Sequence, residues 1–198
     1  MSSVASAAAP AVGENLLFLG HWDHFGICRP PGEADRIRNG AVDNASGIAM
    51  LIEIAGRLAR QPHPPRDILF LATTSEEIGL LGAEYFASHP PVPLASIAAA
   101  INLDTVADPS GRRAGRDDRP RASRRSTLVV DSTVRALGRR LDTDGEAAAF
   151  ADRQDGWALT RAGVPLAIMV GGSFSTWGCS TISCRDPIMG RTTKSYRA

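Results

Sequence analysis

The chain has 198 residues, 43% of them hydrophobic and 22% charged, which suits one globular domain with a sizeable core. A net charge of +1 argues against nucleic acid or another strongly charged partner, and no apolar run approaches the roughly 20 residues of a membrane helix. The cysteine count is odd, with Cys179 and Cys184 close together near the end, so no disulfide framework is expected.

Met1 to Gly13 is rich in alanine and lacks the basic start and long apolar centre of a signal peptide. It reads as a point at which upstream chain has been lost, and the compartment stays open. The run Leu16-Leu17-Phe18-Leu19 centres a strand expected over 15–20, which delivers the H-x-D pair His21 and Asp23. A helix is expected over 44–60, because Ile48, Leu51, Ile52, Ala55 and Leu58 recur at the spacing of a core-facing stripe. Asp43 and Asn44 stand at its start, where either side chain can accept from first-turn N–H groups. A second strand over 67–73 runs out toward the adjacent carboxylates Glu76 and Glu77, ahead of a helix over 79–88. A third strand over 97–103 is closed by Asp104.

Residues 108–127 fit no element: Gly111 to Arg125 carries seven arginines in fifteen residues and almost no apolar group. Two further helices are expected over 131–141 and 153–162, the second ended by Gly163, and a last strand over 164–170. Alternating strands and helices predict an α/β fold, a mostly parallel sheet flanked by helices. It forms one domain over 1–175, followed by an aberrant tail over 176–198.

Taken singly, His21, Asp43, Glu76, Glu77 and Asp104 have ordinary explanations: a core histidine, a helix cap, a solvated acidic pair, a loop carboxylate. Together they put imidazole and carboxylate groups at three strand ends and one helix start, the place where an open α/β sheet builds its sites. Those are also the oxygen and nitrogen donors that a divalent metal requires.

The segments G-H-W-D-H (20–24), N-G-A-V-D-N-A-S-G (39–47), T-T-S-E-E-I-G-L-L-G (73–82), N-L-D (102–104) and R-A-G-V-P (161–165) resemble the co-catalytic di-zinc aminopeptidase family. That family includes secreted leucyl-type aminopeptidases and related carboxypeptidases, and the resemblance covers about residues 15–107 and 128–175. It implies a zinc exopeptidase-like fold, peptide substrates and two zinc ions, with Asp43 bridging them. His21 and Asp104 would complete one site and Glu77 would join the other. Glu76 would be the general base, and Asp23 would hold the imidazole of His21 in one tautomer. His24 receives no role, and members of the family are often exported.

The family pattern also asks for a histidine late in the chain, and His21, His24, His63 and His89 are the only four. His63 lies in a Pro-rich turn and His89 at a helix end, so the second ion is left with Asp43 and Glu77, and about one zinc is expected. From Thr176 on, the residues show no periodicity and no turn logic. With Arg185 to Thr193 encoded AGG GAC CCT ATC ATG GGC CGG ACG ACA, the frame two bases later spells G-P-Y-H-G-P-D-D. A histidine between tyrosine and an acidic pair is the family's last ligand, which points to a frame shift near Ser175. The arginine-rich stretch has the same look of GC-rich coding read out of frame. Three readings follow: a zinc exopeptidase; a catalytically dead relative or binding module; and a single-zinc acyl-transfer enzyme resembling glutaminyl cyclase, which shares the fold.

Overall fold

The computed structural model describes residues 3–6, 13–28, 30–106, 124–138 and 152–169. In chain order these form β1 (Ser3–Ser6), β2 (Asn15–His21), β3 (Gly26–Ile27), β4 (Ile37–Arg38), α1 (Ala45–Leu58), β5 (Asp67–Thr73), α2 (Leu81–Ser88), a short 3-10 turn (Leu94–Ser96), β6 (Ile97–Leu103), α3 (Arg124–Ala136), α4 (Gly156–Arg161) and β7 (Leu166–Met169). The main sheet has the order β1-β5-β2-β6-β7. β2 is parallel to both β5 and β6, β6 is parallel to β7, and β1 lies antiparallel on the β5 edge. The fold is the expected mostly parallel sheet with helices packed on it.

The topology fixes where a site can be. From β2 the chain passes through α1 to β5 on one side, then returns through α2 to β6 on the other. The winding therefore reverses at β2, and a crevice opens beyond its carboxyl end. His21 pairs with Thr73, and Leu19 pairs with Asn102. The ends of all three central strands thus come level at that crevice.

Period-two alternation places Leu17 and Leu19 of β2 beside Leu69 and Leu71 of β5 on one sheet face, where Phe86 of α2 and Leu159 of α4 cover them. Each leucine so buried contributes about 1.5–3 kcal/mol. α1 packs close to the sheet on the other side. A Cβ on Gly20 would lie 2.8 Å from the Leu103 carbonyl oxygen, and one on Gly47 only 2.3 Å from it. Glycine at both positions is what lets the start of α1 touch the end of β6.

Several expectations are corrected. Ile52 is 68% exposed, whereas Leu51 is buried and Ile48, Ala55 and Leu58 are half-buried. The close contact at Gly47 turns the helix so that Gly47 and Leu51 meet the sheet, which swings Ile52 about 100° away at 3.6 residues per turn. α3 begins at Arg124, inside the arginine-rich stretch, and stops before Gly138, which has φ +69. Arginine is a good helix former and a left-handed glycine terminates a helix, so the element sits earlier than its apolar residues imply. Cys28 is disulfide-bonded; an odd count excludes complete pairing but leaves room for one bridge. The other two cysteines, with residues 107–123, 139–151 and 170–198, lie outside the described residues, as do the proposed frame shift and the boundary at 175. Among the described residues no helix is long and apolar enough to cross a membrane.

Candidate metal centre

Three loops meet at the carboxyl ends of β2, β5 and β6. The loop after β2 carries His21, Asp23 and His24, and its first step continues the sheet, because the Trp22 N–H donates to the Thr73 carbonyl at 3.2 Å. The loop after β5 carries Glu76 and Glu77, and both of their backbone N–H groups donate to the carboxylate of Asp23, at 3.2 and 3.4 Å. Asp104 follows β6 directly. Ser75 and Thr105, the neighbours of Glu76 and Asp104, hold left-handed backbone with φ 60 and 47. Such a conformation costs non-glycine residues of order 1–3 kcal/mol and persists only where the surroundings enforce it.

Asn44 supplies that enforcement at Asp104. Its side-chain oxygen caps α1 by accepting from Gly47 N–H at 3.1 Å and accepts also from Thr105 N–H at 3.0 Å, while its amide donates to the Leu103 carbonyl at 2.9 Å. The helix cap is therefore Asn44, and the carboxylate of Asp43, one residue earlier, is released to face the crevice.

The imidazole of His21 is 1% exposed. Its Nε2 lies 3.1 Å from Asp43 Oδ1 and 3.6 Å from Asp104 Oδ1. Its Nδ1 lies 3.1 Å from the backbone carbonyl of Asp23 and 3.7 Å from Asp23 Oδ1. The carbonyl thus orients the ring, and the Asp23 carboxylate chiefly holds the Glu76 and Glu77 loop. Two groups of donors result, each with one ligand atom per residue and all such atoms within 4.8 Å of one another: His21, Glu76 and Asp104, and His24, Asp43 and Glu77. His24 Nδ1 is in direct contact with Glu77 Oε1. Asp43 belongs with the second group while its Oδ1 touches His21 of the first, so its carboxylate stands between them.

The electrostatics are those of carboxylates crowded away from water. Burial pushes Glu76 up to about 10, with Asp104, Asp155 and Glu77 adding to the rise and His21 opposing it. Burial pushes Glu77 up to about 8, helped by Asp43, Asp23 and Asp104. For His21, burial disfavours the charge, but Asp104, Asp23 and Asp43 outweigh it and drive the imidazole above its usual value. Burial also opposes ionisation of Asp23, yet His21 and the two backbone N–H donors hold it below the usual carboxylate range. His24 is lowered, first by burial and also by His21 and Arg38, against the pull of Asp43 and Asp23. A set of oxygen and nitrogen donors that repel one another in the absence of positive charge fits a divalent cation.

Three residues of the site escaped the sequence reading. His24 joins Asp43 and Glu77, and its only sequence signal is the H-x-x-H spacing with His21. The sequence marks Asn44 as a helix cap and carries no sign of its bonds to Leu103 and Thr105. Asp155, just before α4, is 1% exposed, makes no side-chain cap bond to its own helix and accepts a hydrogen bond from Thr73 Oγ1, the register partner of His21 on β5. Its other oxygen, Oδ1, has no hydrogen-bond partner among the described residues. Burial, with Asp104 and Asp23 adding to it, pushes Asp155 up to about 7 against the opposing pull of Thr73 and His21. Nothing in Q-D-G-W distinguishes such a buried acid from an ordinary helix-start aspartate.

The sequence model of peptidase family M28 matches residues 4–184. A probable zinc metalloprotease of Pyrenophora teres f. teres is 33% identical over 152 residues, which are 74% of this chain and 30% of that protein. Among solved structures, the Porphyromonas gingivalis glutaminyl cyclase is similar with a TM-score of 0.72 at 24% identity, over 87% of this chain and 63% of the other. BSAP, a zinc aminopeptidase from Bacillus subtilis, is similar with a TM-score of 0.69 at 19% identity, over 92% and 41%. At these identities the structural likeness speaks for the fold alone. The chain spans less than a third of the length of the curated relatives it matches.

Proposed function

The chain belongs to peptidase family M28, and from that premise we propose that it is a zinc-dependent exopeptidase, an aminopeptidase that removes N-terminal residues from peptides. The observation that carries the reading is the carboxylate of Asp43 standing between two donor groups, one with His21 and Asp104 and the other with Glu77. Two ions some 3.5–4 Å apart need an acidic group shared between them. Asp43 would be that bridge, His21 and Asp104 would hold one zinc, and Glu77 would hold the other.

Bound zinc supplies Lewis acidity and a lowered pKa for water at this site. Glu76 is the group that moves the proton. Its carboxylate lies beside His21 and Asp104 and is held by the backbone bond from Glu76 N–H to Asp23. It takes the proton from the attacking water and returns it to the leaving amine. Asp23 acts by fixing this loop and, through its carbonyl, the ring of His21.

The test is zinc content and hydrolysis of aminoacyl-arylamides by the purified chain, with the N-acetylated substrate as control. Release from the free amine alone, abolished by chelation, supports an aminopeptidase. A protein that takes up no zinc and releases nothing is instead the dead relative or binding module. Cyclisation of an N-terminal glutaminyl peptide by a one-zinc protein would instead favour the single-zinc acyl-transfer enzyme.

A further inference from the structure

We propose that His24 is a ligand of the second zinc ion, so that Asp43, Glu77 and His24 hold that ion while His21, Asp43 and Asp104 hold the first. The inference rests on the two-metal reading above and changes its count. From the sequence alone the second ion has only two protein donors, and zinc sites normally use three or four. The structure brings a third donor to the same place.

The geometry is specific. His24 lies three residues after His21 in the loop that follows β2, and its ring reaches the loop after β5. There Nδ1 contacts Glu77 Oε1, and a ligand atom of His24, Asp43 and Glu77 each lies within 4.8 Å of the others. Donors at roughly 2.0–2.2 Å from a tetrahedral zinc stand about 3.3–3.6 Å apart. The direct His24 to Glu77 contact has to open slightly to admit an ion, and the other separations, all within 4.8 Å, need close by no more than about 1.5 Å to reach that spacing. Both are side-chain movements, because the Glu77 backbone is already fixed to Asp23.

One loop then serves the whole centre. His21 faces one ion, His24 faces its neighbour, and the carboxylate between them in sequence, Asp23, holds the loop that carries Glu76 and Glu77. His63 is exposed on the far side of α1 from β2 in sequence and has no part in either donor group.

The experiment is elemental analysis of zinc per chain after dialysis, together with the visible spectrum of the cobalt-loaded protein, for the unsubstituted chain, His24→Ala, His24→Gln and His63→Ala. Glutamine fills most of the imidazole volume, and thermal unfolding of the metal-free variants checks that the fold is kept. The expected result is about two zinc ions in the unsubstituted chain and in His63→Ala, and about one in both His24 variants with altered cobalt absorption. Two ions retained in His24→Gln would overturn the proposal while leaving the two-metal reading intact. One ion in both the unsubstituted chain and His24→Gln would overturn it together with the second site. Absence of zinc from the unsubstituted chain would instead sink the zinc reading itself.

Discussion

Asn44 Oδ1 accepts from Thr105 N–H at 3.0 Å, so the residue after Asp43 is tied to the residue after Asp104. Two carboxylates 61 positions apart in the chain are thereby set against one histidine by an amide that never faces the crevice. Asn44→Ala should lose the cap, worth about 1 kcal/mol, and leave Thr105 N–H and the Leu103 carbonyl buried without partners at about 1–3 kcal/mol in addition. Urea unfolding of the metal-free protein should show a loss of about 2–4 kcal/mol. A loss under about 0.5 kcal/mol would mean that Thr105 keeps its left-handed backbone without Asn44.

The adjacent glutamates should separate by role. Glu76→Gln should keep the metal content and lower turnover by about 10²- to 10⁴-fold, the usual contribution of a general base. Glu77→Ala should lose metal. Metal loss in Glu76→Gln with retention in Glu77→Ala would reverse the assignment and make Glu76 a ligand beside His21 and Asp104.

If Asp43 bridges as proposed, removing it would take a donor from both ions and leave two cations repelling across a short gap. Asp43→Asn should therefore cost more zinc than Asp104→Asn, which removes a donor from one ion. Equal zinc content in the two variants by elemental analysis would argue against a bridge.

The legible parts of this chain were those written as contiguous runs. DILFLAT and IAAAINL form strands over the expected spans, NLLFLGH forms one that runs a residue further to include His21, and the acidic groups at their ends do converge. The unread parts depend on contacts distant in sequence. β1, Ser-Val-Ala-Ser, has no apolar pattern because an edge strand needs only one partner. The two-residue pair β3 and β4 is too short to show periodicity. Asp155 gains its place from Thr73, 82 positions away, and His24 from Glu77, 53 away. Such partners are fixed by the winding of the sheet, and local spacing does not record them.

The metal-free protein should lose stability as pH rises. Glu76, Glu77 and Asp155 are pushed up, chiefly by burial, to about 10, 8 and 7 from ordinary values of 4.5, 4.5 and 3.8, and His21 is raised as well. Above the ordinary carboxylate range the unfolded chain releases protons that the folded chain keeps, so the folded state is penalised progressively. Their full stability is present below about pH 4 and is lost through about pH 7, 8 and 10 in turn. Asp23 and His24 are lowered and oppose this. Asp23 acts only below about pH 4 and His24 only below its usual value near 6.5, so neither cancels the fall at higher pH. The Tm of chelator-treated protein should therefore drop between about pH 5.5 and 8.5, by roughly 2–4 °C for each kcal/mol lost in a chain of this size. Asp155→Asn should flatten the part below about pH 7. Zinc should invert the trend, because its ligands bind deprotonated and its affinity rises with pH. A metal-free Tm that rises over this interval would show that the buried carboxylates are already ionised in the folded chain, and the cation-seeking character assigned to this crevice would fall with it.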